Sequence, residues 1–477
     1  MKIHNTNFWE FAKYHNLRLG DYYSLPILKY SYIPLSEVID SCESGGRPVG
    51  GIRAEYCGQA ISLGGEQIGS DGDLDIKKLP YIPFDFFDGQ KEGKVRDGDI
   101  LLCKDGSMTG KVCMVDLSIL PHDKVMVNEH VYVLRANGVI EQSILFFLMR
   151  EKFFQNQVID LAYRKKGQPG LNSEHLKSLY IPKIPREVQF ELLDGIKPAV
   201  YEMRHLKDKQ VDTVQIIDDV FARAFNYDIS EINQLGKGMS YGTQKLEAKA
   251  MLTFYNKLAD SKSDLLRLSV RSSNPIIRKS DSILSSLGTL KLREIIKNKV
   301  HNGEAPCYTK EGFIPAIKTA HLSVDGLQLE FTEFVGEEQY ENQEEAHIKC
   351  GDVLVCNIGK GSLGKATYNS TDIKAFATSE VMIIRVDEEK YSGKFLAYFL
   401  NSMLGVFQFE YAYTGATNQI HIDPASVEDF DIPRIPLEEQ LAIVKQIEEK
   451  VNLQAEINLR ISEIHRKIDE YIGRAIR

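Results

Sequence analysis

The sequence predicts an α+β protein: two β-rich globular domains in tandem repeat, each followed by a long helix, with the two helices pairing as an antiparallel coiled coil. Three observations predict it. The stretch Ile181 to Phe225 recurs about 251 positions later as Ile432 to Ile476, with Ile181-Pro-Lys-Ile-Pro185 over Ile432-Pro-Arg-Ile-Pro436 and Phe221-Ala-Arg-Ala-Phe225 over Ile472-Gly-Arg-Ala-Ile476. Within it, Leu193, Ile196, Val200, Ile217 and Phe221 stand over Val444, Ile447, Val451, Ile468 and Ile472, at the apolar spacings of three and four that mark a coiled-coil seam. Short β-rich runs divided by Gly, Asp and Pro precede each copy. A repeat this long is a duplicated domain and not a solenoid.

Taken in order, residues 1–185 form the first domain. Arg18-Leu-Gly-Asp-Tyr-Tyr-Ser-Leu-Pro-Ile-Leu-Lys29 is echoed by Arg267-Leu-Ser-Val-Arg-Ser-Ser-Asn-Pro-Ile-Ile-Arg278, so the duplication runs through nearly the whole chain. Strands are expected at Val95 to Leu102, Val112 to Val115 and Val131 to Leu134, then a helix from Ser143 to Leu161 and a loop from Ala162 to Pro185. A first long helix follows over 186–228, with Pro198 predicting a kink or a late start. Residues 229–266, including Gly236-Lys-Gly-Met-Ser-Tyr-Gly242, have the composition of a connector. The second domain takes 267–436 and the second long helix 437–477. It repeats the order of the first: Leu290 to Ile296 over Ile33 to Ile39, Gly351-Asp-Val-Leu-Val-Cys356 over Gly98-Asp-Ile-Leu-Leu-Cys103, and Phe395 to Phe409 over the helix near Leu145. Met203, Lys207 and Gln210 opposite Gln454, Asn458 and Ile461 would make the middle of the seam polar.

Bulk properties exclude several classes. The 477 residues carry a net charge of −9, which argues against a nonspecific nucleic-acid coat but leaves room for basic groups gathered on one face. Seven cysteines without a C-x-x-C pair fit reduced thiols. With no long apolar run and no signal-peptide core, a cytoplasmic protein without membrane contact is expected. His347, Cys350 and Cys356 match no zinc spacing, so neither metal nor cofactor is expected.

A globular domain ending in Ile-Pro-x-Ile-Pro, then a helix opening Leu437-Glu-Glu-Gln-Leu-Ala-Ile-Val444, all occurring twice, resembles the specificity subunit of type I restriction-modification systems. The Gly-Asp-(Ile/Val)-Leu strand and the Gly-x-(x)-Gly-Lys turn belong to the same resemblance, which covers about Arg18 to Arg477. It implies that each domain is a target-recognition domain for half of a bipartite double-stranded DNA site. It also implies that the paired helices separate the halves and dock two methyltransferase subunits, with restriction or translocase subunits as further partners. The first copy departs from the pattern, with Arg186-Glu-Val-Gln189 in place of Leu-Glu-Glu-Gln.

Other readings compete with this one. Gly359-Lys-Gly-Ser-Leu-Gly-Lys-Ala366 has the glycines of a phosphate loop, but Ala366 stands where Ser or Thr would hold magnesium, and Ala366-Thr-Tyr-Asn-Ser370 starts a helix poorly. A strand-turn-strand connection that can touch DNA phosphates fits better. This makes Lys104, Ser107, Thr109 and Lys111, and in the second copy Lys360, Ser362 and Lys365, candidate DNA contacts. Asp85 with Glu92 and Lys94 is too common a set to indicate a nuclease. Asn274-Pro-Ile-Ile277 lacks the second proline and aromatic of a methyltransferase, so no active site of its own is expected. The loops before each Ile-Pro strand are the best reading elements: Arg164, Lys165, Lys166, Gln168 and Asn172 in one, Tyr411, Tyr413, Thr417, Asn418 and Gln419 in the other. Gln and Asn can bond adenine in two places, Arg can bond guanine likewise, and Lys positions through phosphate. The alternative is a duplicated coiled-coil scaffold for protein partners.

Overall fold

The computed structural model describes residues 25–477 apart from 53–55, 70, 77–78, 163–169, 231–274, 310–311, 330–331, 360 and 416–419. Most of the Arg18 to Lys29 echo, of the 229–266 connector and of its second copy up to Asn274 therefore lies outside the described residues. The chain divides into two units, Met1–Lys209 with Ile457–Arg477, and Gln210–Glu456.

The first unit carries β1 (Tyr32–Pro34), β2 (Ile39–Ser44), β3 (Ala60–Leu63), β4 (Tyr81–Ile82), β5 (Ile100–Cys103), β6 (Val112–Met114), β7 (Val125–Val127) and β8 (Val131–Ala136). Then come helices α1 (Gln142–Arg150), α2 (Lys152–Ala162) and α3 (Ser173–Lys177), strand β9 (Tyr180–Pro182) and helix α4 (Arg186–Lys207). A four-stranded sheet runs β2-β8-β5-β6, a three-stranded one β4-β3-β7, and β1 pairs with β9. The central strand β5 explains the layering. Ile100 and Leu102 enter one apolar cluster with the helices, whereas Leu101 and Cys103 enter another with the three-stranded sheet. Successive side chains point to opposite faces, so a strand covered on both sides reads as an unbroken apolar run. Each such buried Leu or Ile contributes about 1.5–3 kcal/mol.

The second unit carries α5 (Thr213–Ala224), α6 (Pro275–Leu287), β10 (Thr289–Lys291), β11 (His301–Asn302), β12 (Tyr308–Thr309), β13 (Ile314–Ile317), β14 (Leu322–Ser323), β15 (Gly326–Leu327), β16 (Phe334–Val335) and β17 (His347–Ile348). It continues with β18 (Val353–Cys356), β19 (Ala366–Tyr368), β20 (Ala375–Ala377), β21 (Val381–Ile384), α7 (Gly393–Asn401), α8 (Met403–Ala412), α9 (Pro424–Glu428), β22 (Asp431–Pro433) and α10 (Leu437–Ile476), the last reaching into the first unit from Ile457 onward. The same frame returns: β11-β21-β18-β19, a second sheet β12-β16-β13-β20-β17, and β10 with β22. In β18, Val353 and Val355 face the helical cluster while Leu354 and Cys356 face the other sheet. Polar details repeat too. Arg135 pairs with Asp99 at 2.7 Å, and Arg385 with Asp352 at 3.1 Å. Gln157 bonds the N–H and C=O of Tyr180, as Gln408 does for Asp431.

Helix boundaries differ from the sequence reading in three places. The expected helices near Leu145 and Phe395 are each broken once, between α1 and α2 and between α7 and α8, and at the second break the hydroxyl of Ser402 accepts the Gly405 N–H at 3.4 Å. The single helix expected over 186–228 is two, α4 and α5. Asp212 accepts the Val214 N–H at 2.9 Å and so starts α5 as an N-cap. Gln454 accepts the Val211 N–H at 2.8 Å, satisfying the backbone of the break from α10. Pro198 delays nothing, because α4 starts at Arg186 and runs through it.

Within the first unit α4 and α10 run antiparallel: Gly195 lies against Tyr471, and Glu202 accepts from Arg460 at 2.7 Å. Ile196, Ile468 and Ile472 are buried in their shared core with Leu193 and Val200 partly so. In the second unit Ile217 and Phe221 of α5 share a core with Val444 and Ile447 of α10, Val451 at its margin. The polar middle is assembled differently from the expectation: Ile461 is buried, Met203 packs partly into the core, and Lys207 turns to Asp73.

Candidate nucleic-acid interface

Of the two candidate reading loops, residues 163–169 and 416–419 lie outside the described residues, and with them Arg164, Lys165, Lys166, Gln168, Thr417, Asn418 and Gln419; so does Lys360. Their bases are described, and the two are built alike. In the first unit Gly170 donates to Ala162 at 3.4 Å, so both ends of the loop meet. Leu171 then donates to the carbonyl of Lys104 at 2.6 Å, and Lys104 donates to that of His130 at 2.9 Å. In the second, Ile422 donates to Asn357 at 3.0 Å and Asn357 to Glu380 at 3.1 Å, while Thr414 and His421 exchange both backbone bonds across the loop's mouth. Lys104 thus corresponds to Asn357, and His130 to Glu380.

On this common frame the side chains differ in kind. Lys104 donates to the Ser44 hydroxyl at 3.2 Å and lies 4.7 Å from the Tyr132 ring centroid. His130 is held between Asp105 at 2.6 Å and Glu129 at 3.3 Å, and Arg47 pairs with Glu129 at 3.0 Å. The second unit has no such charged cluster among the described residues at this place. Asn357 donates to the Asn302 side chain at 2.9 Å and to the Ser379 carbonyl at 2.8 Å. Sequence reasoning reached Lys104 but missed Ser44, His130, Asn302 and Asn357. Their signal was positional: they end, follow or immediately precede strands that the duplication aligns.

The remaining candidates divide between turn formation and exposure. Thr109 donates to the Gly106 carbonyl at 2.7 Å and Ser362 to that of Ile358 at 3.0 Å, each folding its own turn. Ser107 is exposed, and Lys111, Lys365, Tyr411 and Tyr413 are half-buried. Asn172 accepts the His175 N–H at 2.8 Å as the N-cap of α3, and Asp423 accepts the Ser426 N–H at 2.9 Å before α9. Asn172 therefore serves as a helix cap. The glycine-lysine turn joins β18 to β19, a strand-turn-strand connection and not a strand-to-helix phosphate loop.

Among the described residues one group could offer metal ligands, Asp71, Asp73 and His465, whose atoms lie within 4.8 Å of one another. The Lys207 ammonium already lies against Asp73 and supplies the positive charge there. Burial, then Lys207 and Arg150, hold His465 down at about 4, so its ring is neutral at physiological pH. This cluster ties the turn after β3 to α4 and α10 within the first unit. Among the described residues no helix is long and apolar enough to cross a membrane.

Comparison with known proteins bears on the second half most directly. Residues 288–464 match the family model of the type I restriction modification DNA specificity domain. No curated protein matches the chain. Among solved structures it is similar to the S subunit of a type I restriction-modification system from M. genitalium, at 12% identity over 97% of this chain and 98% of that one, with a TM-score of 0.43. It is also similar to the HsdS subunit from Thermoanaerobacter tengcongensis, at 17% identity over 95% and 98%, TM-score 0.33. A chain solved for the complex assembly and conformational transition of the type I R-M system gives 16% identity over 95% and 98%, TM-score 0.41. The matched segment begins at the glycine before β10 and runs into α10, taking in every sheet of the second unit, so this part of the chain is similar to the type I restriction modification DNA specificity domain.

Proposed function

We propose that the whole chain is the noncatalytic DNA-recognition subunit of a type I restriction-modification complex. In this reading each unit recognises one half of a bipartite duplex site. The helices α4, α5 and α10 fix the spacing of the halves and dock two methyltransferase subunits, which supply the chemistry. The observation that carries the reading is the repeated frame beneath two unlike loop bases. One duplicated scaffold presents Lys104, Ser44 and His130 in the first unit and Asn357, Asn302 and Glu380 in the second, as two different half-sites would require. The family model matches residues 288–464, and the internal repeat is what supports the same reading for the first unit.

The test is duplex binding by the purified chain across a salt series, followed by methyl transfer with and without the methyltransferase partner. Affinity should fall steeply with salt, because neutralised phosphates release counterions. Transfer should appear only with the partner. Salt-independent binding, or robust transfer by the chain alone, would end the reading.

A further inference from the structure

Two buried glutamines join each domain to its helix, and neither belongs to a reading loop. Gln189 and Gln440 both stand four residues into their helices, with backbone N–H groups donated to Pro185 at 3.0 Å and Pro436 at 3.1 Å. Their exposures are 1% and 0%. The Gln189 amide donates to Ile184 at 2.8 Å and Val139 at 3.0 Å, and its oxygen accepts the Glu141 N–H at 2.7 Å. Gln440 donates to Ile435 at 3.0 Å and accepts the Ser392 N–H at 2.8 Å. In each case one side chain ties three segments: the end of the Ile-Pro stretch, the first turn of the long helix, and the N-cap residue of a core helix of the domain, Glu141 before α1 or Ser392 before α7. Three ties at a helix start fix its direction as well as its position.

We propose that Gln189 and Gln440 are positioning residues that set the angle between each DNA-reading domain and its helix, and through it the spacing between half-sites that the protein accepts. This rests on the function proposed above. The lever is long. Over the 22 residues of α4, a rise of about 33 Å, a tilt of about 5° at the start displaces the far end by roughly 3 Å, close to the 3.4 Å or so between base pairs. A small loss of angular stiffness therefore appears in the spacing before it appears in the half-site sequence. The departure of the first helix from the Leu-Glu-Glu-Gln pattern is consistent with this division of labour: Arg186-Glu-Val precede Gln189, and of these four only the glutamine is fully buried.

The experiment uses the full chain assembled with its methyltransferase partner. Half-sites are first mapped from methylated DNA, and a duplex library then varies only the number of base pairs between them. Gln189→Met and Gln440→Met keep length and volume but remove the hydrogen bonds. Gln157→Met and Gln408→Met are matched controls, since those amides hydrogen-bond Tyr180 and Asp431, residues outside both long helices. The expected result is that spacings one base pair off the preferred one gain about threefold or more relative to it in the Gln189 and Gln440 variants, as orientation stiffens less against DNA deformation. Half-site sequence stays the same, and the controls keep the wild-type spacing profile. An unchanged profile in folded Gln189→Met and Gln440→Met, or equal broadening in the controls, overturns the proposal. A wild-type complex that selects no DNA sequence overturns the functional reading itself, and this inference with it.

Discussion

Gln440 accepts the backbone N–H of Ser392 at 2.8 Å across the junction between domain and helix, and Gln189 does the same for Glu141 at 2.7 Å. Both acceptors are buried, so truncation strands the N–H on the other side. Leaving such a group unsatisfied costs about 1–3 kcal/mol, and the cavity adds to it. Gln440→Ala should therefore lower the stability of the second unit by roughly 2–4 kcal/mol, measured as a shift of the denaturant midpoint. A change within about 0.5 kcal/mol, the range of ordinary surface substitutions, would show that the junction is held by apolar packing alone.

A second pair of equivalent positions holds the mouth of each sheet. A Cβ on Gly45 would lie 1.7 Å from the Val127 carbonyl oxygen, and one on Gly303 would lie 2.1 Å from that of Ala377. Neither oxygen is a flexible side-chain end, so strand and neighbour must separate. Gly45→Ala and Gly303→Ala should each cost on the order of 2 kcal/mol or more. Each should also weaken preference at one half-site only, because the displaced segments lead to Ser44 in one unit and Asn302 in the other. Thermal melting with half-site selection in the same variants checks both.

Much of this architecture was legible in the letters. The two Ile-Pro stretches became β9 and β22, pairing with β1 and β10, since Ile181 and Ile432 recur in register. Strand β5 was visible as an apolar run after Gly98, whose φ of 77° suits glycine alone. What escaped was chemistry that depends on partners distant in sequence. Gln189 and Gln440 were visible as matching letters, but their buried role depends on Glu141 and Ser392, some 48 positions upstream in each copy. The break between α4 and α5 had a local signal, Asp212 before Thr213, which the sequence reading did not use and which caps α5 in the fold. The loop-base residues were hidden because His130 and Glu380 share a position and no chemistry.

Asp218 makes stability depend on pH. It is buried on α5 and accepts the Met403 N–H at 2.7 Å, tying that helix to the start of α8. Burial pushes its carboxyl up from 3.8 to about 7, with Asp219 adding to the rise and the Met403 bond opposing it. A carboxyl that is harder to ionise when folded holds its proton longer in the native state. Its contribution is therefore complete below the unfolded value of 3.8 and is lost as pH rises through about 7. Asp218→Asn keeps an acceptor for Met403 and removes the ionisation. Relative to wild type it should gain stability between about pH 4 and 7, by up to roughly 4 kcal/mol at the upper end. Parallel stability curves for the two proteins from pH 4 to 8 would contradict this.

The proposed reading loops make a separable prediction. Replacing Arg164, Lys165 and Lys166 together by Ala should weaken DNA binding and reduce the salt slope by up to about 3, one unit for each phosphate that is no longer neutralised. Gln168→Ala or Gln419→Ala should instead change preference at one half-site, by about 1–3 kcal/mol if the glutamine bonds its base in two places. Binding isotherms at several salt concentrations distinguish the two effects. Unaltered preference after both glutamine changes would transfer the reading role to the loop bases at Lys104 and Asn357.

The spacing role of the helices is open to a geometric test, and the division of the chain says where to apply it. The first unit ends at Lys209 and resumes at Ile457, so a heptad added after Lys207 and another after Glu456 leave the internal packing of both units intact. The addition after Lys207 lengthens α4 before its break and keeps Lys207 against Asp73. Built from strong helix formers with the apolar seam continued, the seven residues in each strand of the pair add about 10 Å of helix. At roughly 3.4 Å per base pair, the preferred half-sites should move apart by about 3 base pairs. Their sequences should not change, because no loop or loop base is altered, although the new rotational phase on the duplex should cost affinity. Lengthening only one helix should do worse, since the seam loses register beyond the insertion. Methylation mapping of the assembled complex reads the spacing directly, and a folded, partner-bound double insertion that still selects the original spacing would show that these helices are not the ruler.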